Sequence, residues 1–78
     1  MVLKKDDEFL EIETGVVWKI YHISKHATQL LLKSRKGGDG DFILHTNPRR
    51  FEEVTRYLTS KKCIPNTPAA RALYVSER

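Results

Sequence analysis

Cysteine is almost absent from this sequence, because Cys63 is the only one. A single thiol excludes an internal disulfide and any metal site built from several thiolates. Small domains without disulfides are typical of a reducing compartment, so we expect a cytoplasmic protein. We predict that Cys63 is a half-buried apolar thiol.

Long apolar runs are also missing. No segment approaches the roughly 20 apolar residues that a membrane-spanning helix needs. The first residues of the sequence contain no apolar run long enough for a signal peptide. The sequence therefore predicts no membrane partner.

Catalytic and cofactor motifs are absent as well. His22 and His26 have the spacing of two zinc ligands on a helix, but we expect them on a strand and the turn after it. The glycine-rich stretch Gly37–Gly40 lacks the lysine and hydroxyl that follow it in a phosphate-binding P-loop. We therefore predict a non-catalytic protein, without metal or cofactor, that binds a partner at its surface.

The composition, with 40% hydrophobic and 31% charged residues, is that of an ordinary globular domain. Its 78 residues leave room for one domain, residues 1–78, with a thin core. The charge is uneven, because residues 1–13 carry a net −3 and residues 14–78 a net +7. A basic domain favours anionic partners, either nucleic acid or an acidic protein surface.

Apolar and polar residues alternate with the period of a β-strand in several segments. In the most distinct of these, one face contains Val16, Trp18 and Ile20. The other face contains Val17, Lys19 and Tyr21. Turn residues Thr14 and Gly15 precede this strand, and a glycine-rich connection covers residues 34–41. The predicted strands are residues 8–13, 16–23, 28–33 and 41–46.

Asn47 and Pro48 are the strongest local signal, because Asn caps helix N-termini and Pro suits the first helical position. We predict a helix from about Pro48 to Lys62, with Phe51, Val54 and Leu58 packed on the sheet. Thr67 and Pro68 repeat this pattern and predict a short C-terminal helix, although residues 73–75 are also compatible with an edge strand.

These elements predict an α+β fold in which a three- to four-stranded antiparallel sheet packs on one main helix. The sheet face away from the helix is then open for binding. The same layout occurs in DNA-binding domains whose sheet enters the major groove, but no motif of such a domain matches residues here.

We predict a nucleic-acid binder that uses the open sheet face and its neighbouring loops. Arg49 and Arg50 would lie in the first turn of the main helix, where the helix dipole disfavours positive charge. A phosphate or other anion bound at this end of the helix would offset that cost. The predicted binding residues are Lys19, Tyr21, Lys25, Lys33, Arg35, Lys36, Arg49 and Arg50.

Two other functions are compatible with the sequence. The first is a protein-binding adaptor or modulator, such as a small phage- or plasmid-type protein that acts on a host protein through the sheet face or an edge strand. The second, compatible with either of these functions, is a homodimer formed through an unpaired edge or an exposed apolar strip.

Overall fold

The computed structural model describes residues 3–37 and 40–76. These residues form, in order, β1 (Glu8–Glu11), β2 (Val16–Ile23), β3 (Gln29–Lys36), β4 (Ile43–Arg50), α1 (Phe51–Leu58), β5 (Cys63–Pro65) and α2 (Pro68–Ser76). The strands form one antiparallel sheet in the order β4-β3-β2-β1-β5. The predicted α+β class is confirmed, but the sheet has five strands where three or four were predicted.

The pairing of β2 with β3 lies at the centre of the sheet. Ile20 is opposite Leu32, and Lys19 is opposite Lys33. Because side chains of paired residues share a face and alternate along a strand, these pairs lie on opposite faces. Trp18 and Ile20 belong to the core side and Lys19 to the other side, as the alternation predicted.

Helix α1 covers the core side of the sheet. The predicted spacing of Phe51, Val54 and Leu58 is confirmed, since Val54 and Leu58 are buried and Phe51 packs against the same cluster. On the outer side of α1, Glu52 and Arg56 form an ion pair with 3.4 Å between Oε1 and Nη2, and both side chains are exposed. The buried cluster consists of Leu3, Phe9, Ile20, Leu30, Leu32, Val54, Leu58 and Cys63.

The prediction that Asn47 and Pro48 begin the main helix is wrong, because both lie within β4 and α1 begins at Phe51. The register of β3 and β4 shifts at residues 46–48, which form a bulge opposite Leu31. Proline is tolerated at bulges and on edge strands, where its missing N–H removes no ladder hydrogen bond. The same two residues therefore suit a helix start and an irregular edge strand equally well.

The predicted end of the helix at Lys62 is also wrong. Helix α1 ends at Leu58, and Cys63–Pro65 then pairs with β1 as β5. Three residues are too few for alternation to reveal a strand. Cys63 is more fully buried than predicted. This burial, and to a smaller extent the negative charge of Glu11, raises the pKa of the Cys63 thiol to about 11.

The predicted C-terminal helix is confirmed as α2. The backbone N–H of Ala70 donates a hydrogen bond to Thr67 Oγ1 at 3.1 Å, so Thr67 caps this helix as its sequence position predicted. The alternative of an edge strand at residues 73–75 is wrong. Among the described residues, no helix is long and apolar enough to span a bilayer.

Two predicted turns are confirmed. Gly15 has a φ of +75° in the turn between β1 and β2, where Thr14 Oγ1 donates to Glu11 Oε1 at 2.5 Å. Gly37 and Gly40 have φ of +81° and +107° in the connection from β3 to β4. Strand β3 continues to Lys36, so this connection is shorter than predicted, and its Gly38 and Asp39 lie outside the described residues.

Replacing Ile20 with Val tests the position of the core. Ile20 is 0% exposed, so the lost methyl group leaves a small cavity and we expect the free energy of unfolding to fall by about 0.5–1.5 kcal/mol. The matched control is Ile43→Val, since Ile43 is 68% exposed. Urea denaturation measures both, and equal losses would contradict this core.

Candidate nucleic-acid interface

The sheet face opposite α1 carries most of the basic residues of the central strands. Along the register, Lys19 pairs with Lys33 and Lys33 with Leu44, while Val17 pairs with Leu10 and with Arg35. All these side chains share the face that α1 does not cover. We call this surface the basic face and define it by Leu10, Val17, Lys19, Tyr21, Lys33, Arg35 and Leu44.

Three cations on the basic face lie against aromatic rings. The Nζ of Lys33 is 4.5 Å from the centre of the Tyr21 ring. The Cζ of Arg35 and the Nζ of Lys19 are 4.7 Å and 5.3 Å from the centre of the Phe42 ring. Cation–π contacts of this kind contribute about 0.5–1 kcal/mol at exposed sites. The contacts therefore hold long basic side chains close to the sheet.

Phe42 reaches this face because of the connection before β4. The residue lies between Gly40, whose φ is positive, and Ile43, the first residue of β4. Its ring is partly buried between the side chains of Lys19 and Arg35, which come from two neighbouring strands. The hairpin thus places an aromatic ring between two cations.

A β-bulge determines the position of Tyr21. The register of β2 with β3 shifts between Ile20 and His22, so Tyr21 has no partner on β3. His22 pairs with Leu31, whose neighbours Leu30 and Leu32 are buried in the core. Leu31 therefore faces away from the core, and so does its partner His22, which thus lies on the same side of the sheet as Tyr21. Bulges of this kind redirect side chains and are frequent next to functional sites.

The cations Lys19, Lys33 and Arg35 of the basic face form no ion pair in the described part of the chain. The ion pairs there are Arg50 with Glu53 at 3.8 Å and Arg56 with Glu52 at 3.4 Å, and neither involves Lys19, Lys33 or Arg35. Glu8 shares the face through its pairing with Lys19, but its Oε1 accepts a hydrogen bond from Asn66 Nδ2 at 3.1 Å. The positive charge of the face is therefore not neutralised by ion pairs within residues 3–37 and 40–76.

Arg35 is the most constrained of these cations. Its Nε is buried without a hydrogen-bond partner in the described residues, while its guanidinium lies over Phe42. Arg71 of α2 shares a shallow cleft with Arg35, Val17 and Leu10 at the border of the face. Helix α2 packs against β5, so it flanks one side of the basic face and leaves the side formed by β2, β3 and β4 open.

The structure brings four of the predicted binding residues together, namely Lys19, Tyr21, Lys33 and Arg35. The others lie elsewhere. Lys25 is exposed in the turn after β2, and Lys36 pairs with Val16 on the opposite side of the sheet. Arg49 and Arg50 belong to the end of β4 and not to the first turn of the helix, which corrects the prediction made for them.

Sequence reasoning missed Phe42, His22 and Arg71 as neighbours of this face. Alternation predicts that Phe42 and Leu44 share one side of their strand. That Lys33 lies on the same side follows only from the register of β3 and β4. Simple alternation would place His22 on the core side, and only the bulge reverses this. Arg71 reaches the face through the packing of α2, which no local pattern predicts.

A second concave surface lies on the other side of the sheet, under α1. A cavity of about 280 Å³ is lined by Trp18, Leu32, Arg49, Val54, Leu58, Glu11, Glu53 and Tyr57. Glu11 accepts hydrogen bonds from Thr14 and Tyr57, and these lower the pKa of its carboxyl group. The hydrogen bond to Glu11 raises the pKa of Tyr57 to about 12, helped by burial. Neither group titrates near neutral pH, where a general acid or base works best.

The indole of Trp18 lines the same cavity. Its Nε1 is buried and has no hydrogen-bond partner of normal geometry in the described residues. Trp18 nevertheless lies close to Glu11 and contributes to the lowered pKa of the Glu11 carboxyl group. The described residues contain no group of three histidine, cysteine or acidic side chains placed to hold a metal ion. His45 instead lies against Trp18 and hydrogen-bonds Ser34 at 2.6 Å.

Comparison of the chain with protein-family models, with curated proteins and with solved structures found no match.

Replacing Phe42 with Leu tests the packing of Arg35. The buried Nε–H of Arg35 should exchange slowly with water, and loss of the ring should make this exchange faster. Proton exchange of arginine Nε–H groups measured by NMR reports this change. The exposed side chain of Arg56 is the internal control, and its exchange should not change.

Replacing Tyr57 with Phe tests the contact between α1 and β1. The pKa of Glu11 is lower in the folded protein than in the unfolded chain, where it is near 4.5, so ionised Glu11 stabilises the fold at pH values above 4.5. This stabilisation is lost as the pH falls through the lower pKa of the folded state. Tyr57→Phe should therefore reduce stability at about pH 7, and the difference from the parent protein should shrink at about pH 3. Urea denaturation at both pH values measures this, with Tyr21→Phe as the control; a difference independent of pH would contradict the contact.

Proposed function

We propose that this protein is a non-catalytic module that binds nucleic acid through the basic face. The observation that carries the proposal is the group of Lys19, Lys33 and Arg35 on neighbouring strands, held against aromatic rings and without ion-pair partners in the described residues. Phosphate contacts from lysine and arginine supply most of the affinity of nucleic-acid binding that is not specific for sequence.

Two costs of binding are low on this surface. Lys19 and Arg35 already lie against Phe42 and have lost part of their rotational freedom, so less entropy is lost when they contact a phosphate. Within the described residues, these cations also have no carboxylate to release first, unlike Arg50 and Arg56. An anion that arrives at the basic face therefore gains contacts without breaking existing ion pairs.

The energetics of the fold support the same surface. The core lies on the other side of the sheet, where Ile20, Leu30 and Leu32 are buried against α1. Lys19 and Lys33 can therefore be placed opposite each other, a like-charge pair that weakens a sheet, without touching the core. A bound polyanion offsets this repulsion, which gives such a pair a function.

A protein-binding function is the second candidate, and the observation that favours it is strand β4. This strand is one edge of the sheet, all eight of its residues are exposed, and Ile43 is 68% exposed. Edge strands of this kind accept an extended segment of a partner or of a second copy. However, the bulge at residues 46–48, Pro48 and the neighbouring arginines are features that discourage such pairing, so we place this function second.

Replacing Lys33 with Gln tests the proposal against a matched lysine. We expect the parent protein to bind nucleic acid at low salt and to lose affinity steeply as salt is added. Loss of one phosphate contact should reduce the slope of log K against log salt by about 0.7–0.9. Fluorescence anisotropy titrations in a salt series, with labelled single-stranded DNA, duplex DNA and RNA, measure these slopes.

The control is Lys36→Gln, which removes the same charge from the same strand but from the opposite side of the sheet. It should leave the slope almost unchanged. Equal effects of the two substitutions would contradict binding by this face. Absence of salt-sensitive binding to all of the nucleic acids would favour the protein-binding candidate.

A further inference from the structure

The width of the sheet restricts which nucleic acid the basic face can contact. At the usual strand spacing of about 4.8 Å, a five-stranded sheet is roughly 19 Å across. The major groove of duplex DNA is only about 12 Å wide. The cations of the face lie on the inner strands β2 and β3, so the sheet cannot bring them to base edges by entering the groove. The sheet is thus wider than the three- to four-stranded arrangement that the sequence predicted.

The aromatic residues of the face add a second restriction. Tyr21 is 39% exposed, and the bulge places His22 on the same side of the sheet. Exposed rings beside basic side chains provide stacking positions for bases. A duplex keeps its bases stacked on one another, so it could offer this surface only its phosphates. An unpaired strand offers both phosphates and the faces of its bases.

The contact between Lys33 and Tyr21 is compatible with base stacking. Lys33 Nζ covers the Tyr21 ring at 4.5 Å in the unbound protein. An exposed cation–π contact is weaker than the stacking of a base on an aromatic side chain, and the lysine side chain is flexible. A base can therefore displace the ammonium group, which then lies beside the stacked base and close to its phosphate.

We propose that the ligand of the basic face is a single-stranded nucleic acid, whose bases stack on Tyr21 and whose phosphates contact Lys33 and Arg35. This inference rests on the proposed function and adds the class of nucleic acid. Lys33 and Arg35 lie two residues apart on β3, about 7 Å along the strand, so they contact neighbouring phosphates of an extended chain. Phe42 holds Arg35 and Lys19 in place and does not itself stack on a base.

The experiment is a double-mutant cycle between the protein and the ligand. The protein variants are Tyr21→Leu, which removes the ring, and Tyr21→Phe, which keeps it. The ligands are a short oligothymidylate, an abasic oligonucleotide with the same number of phosphates, the corresponding oligouridylate and a mixed-sequence duplex of the same length. Circular dichroism and urea denaturation establish that both variants are folded before anisotropy titrations at low salt.

We expect the oligothymidylate to bind more tightly than the duplex. Tyr21→Leu should weaken its binding roughly tenfold, and Tyr21→Phe should restore it. Binding of the abasic oligonucleotide should not depend on the residue at position 21, since it has no bases to stack. The oligouridylate compares single-stranded RNA with single-stranded DNA. Equal affinity for the two indicates that the face recognises bases and phosphates and not the sugar.

Two results would overturn this inference. If the duplex binds as tightly as the oligothymidylate, or if Tyr21→Leu weakens all ligands equally, the face binds phosphates alone; the proposed function then stands and the single-stranded ligand does not. If no ligand binds with salt sensitivity at low salt, the proposed function fails, and this inference fails with it.

Discussion

The pairing of β2 with β3 is the constraint on which the rest of the structure depends. Ile20 opposite Leu32 places one set of side chains in the core, and the alternation of the strands then requires Lys19 and Lys33 to face away from it. A shift of the register by one residue would exchange the two sets and bury two lysines. The burial of Ile20 therefore also positions the charges of the opposite face.

Stability and binding are consequently assigned to different sides of one sheet. Helix α1 and the buried cluster occupy one side, and the basic face occupies the other, with α2 at its border. In a chain of 78 residues such separation has a physical advantage, because a small core leaves little stability to offset buried charges. The basic side chains stay on the uncovered side of the sheet, where aromatic rings limit their motion.

Irregular positions determine the finer features of this surface. The bulge at Tyr21 places two rings on one side of the sheet, and the positive φ of Gly40 precedes the residue that holds Arg35 and Lys19. The second bulge, at residues 46–48, interrupts the edge strand β4 and accommodates Pro48. In each case a local departure from regular pairing directs a side chain or protects an edge.

The α+β class, the alternation within β2, the packing positions of α1 and the cap at Thr67 could all be predicted from the sequence. Each depends on residues that are close together in the chain, so periodicity and capping chemistry reveal them. The start of α1 could not be predicted, because Asn47 and Pro48 are compatible with both a helix N-terminus and a bulged edge strand. Nor could β5, since a three-residue strand acquires its conformation only from its pairing with β1.

The basic residues themselves were evident in the sequence, but which of them share a surface was decided by the tertiary structure. Lys33 and Lys36 have the same chemistry and lie on the same strand, yet the pleat turns them to opposite sides. Phe42 meets Lys19 and Arg35 only because the hairpin connects β3 to β4 in one register. The sequence by itself determined the charge and the alternation of faces along the regular stretches of the longer strands, whereas long-range strand pairing and the bulges decided which faces came together.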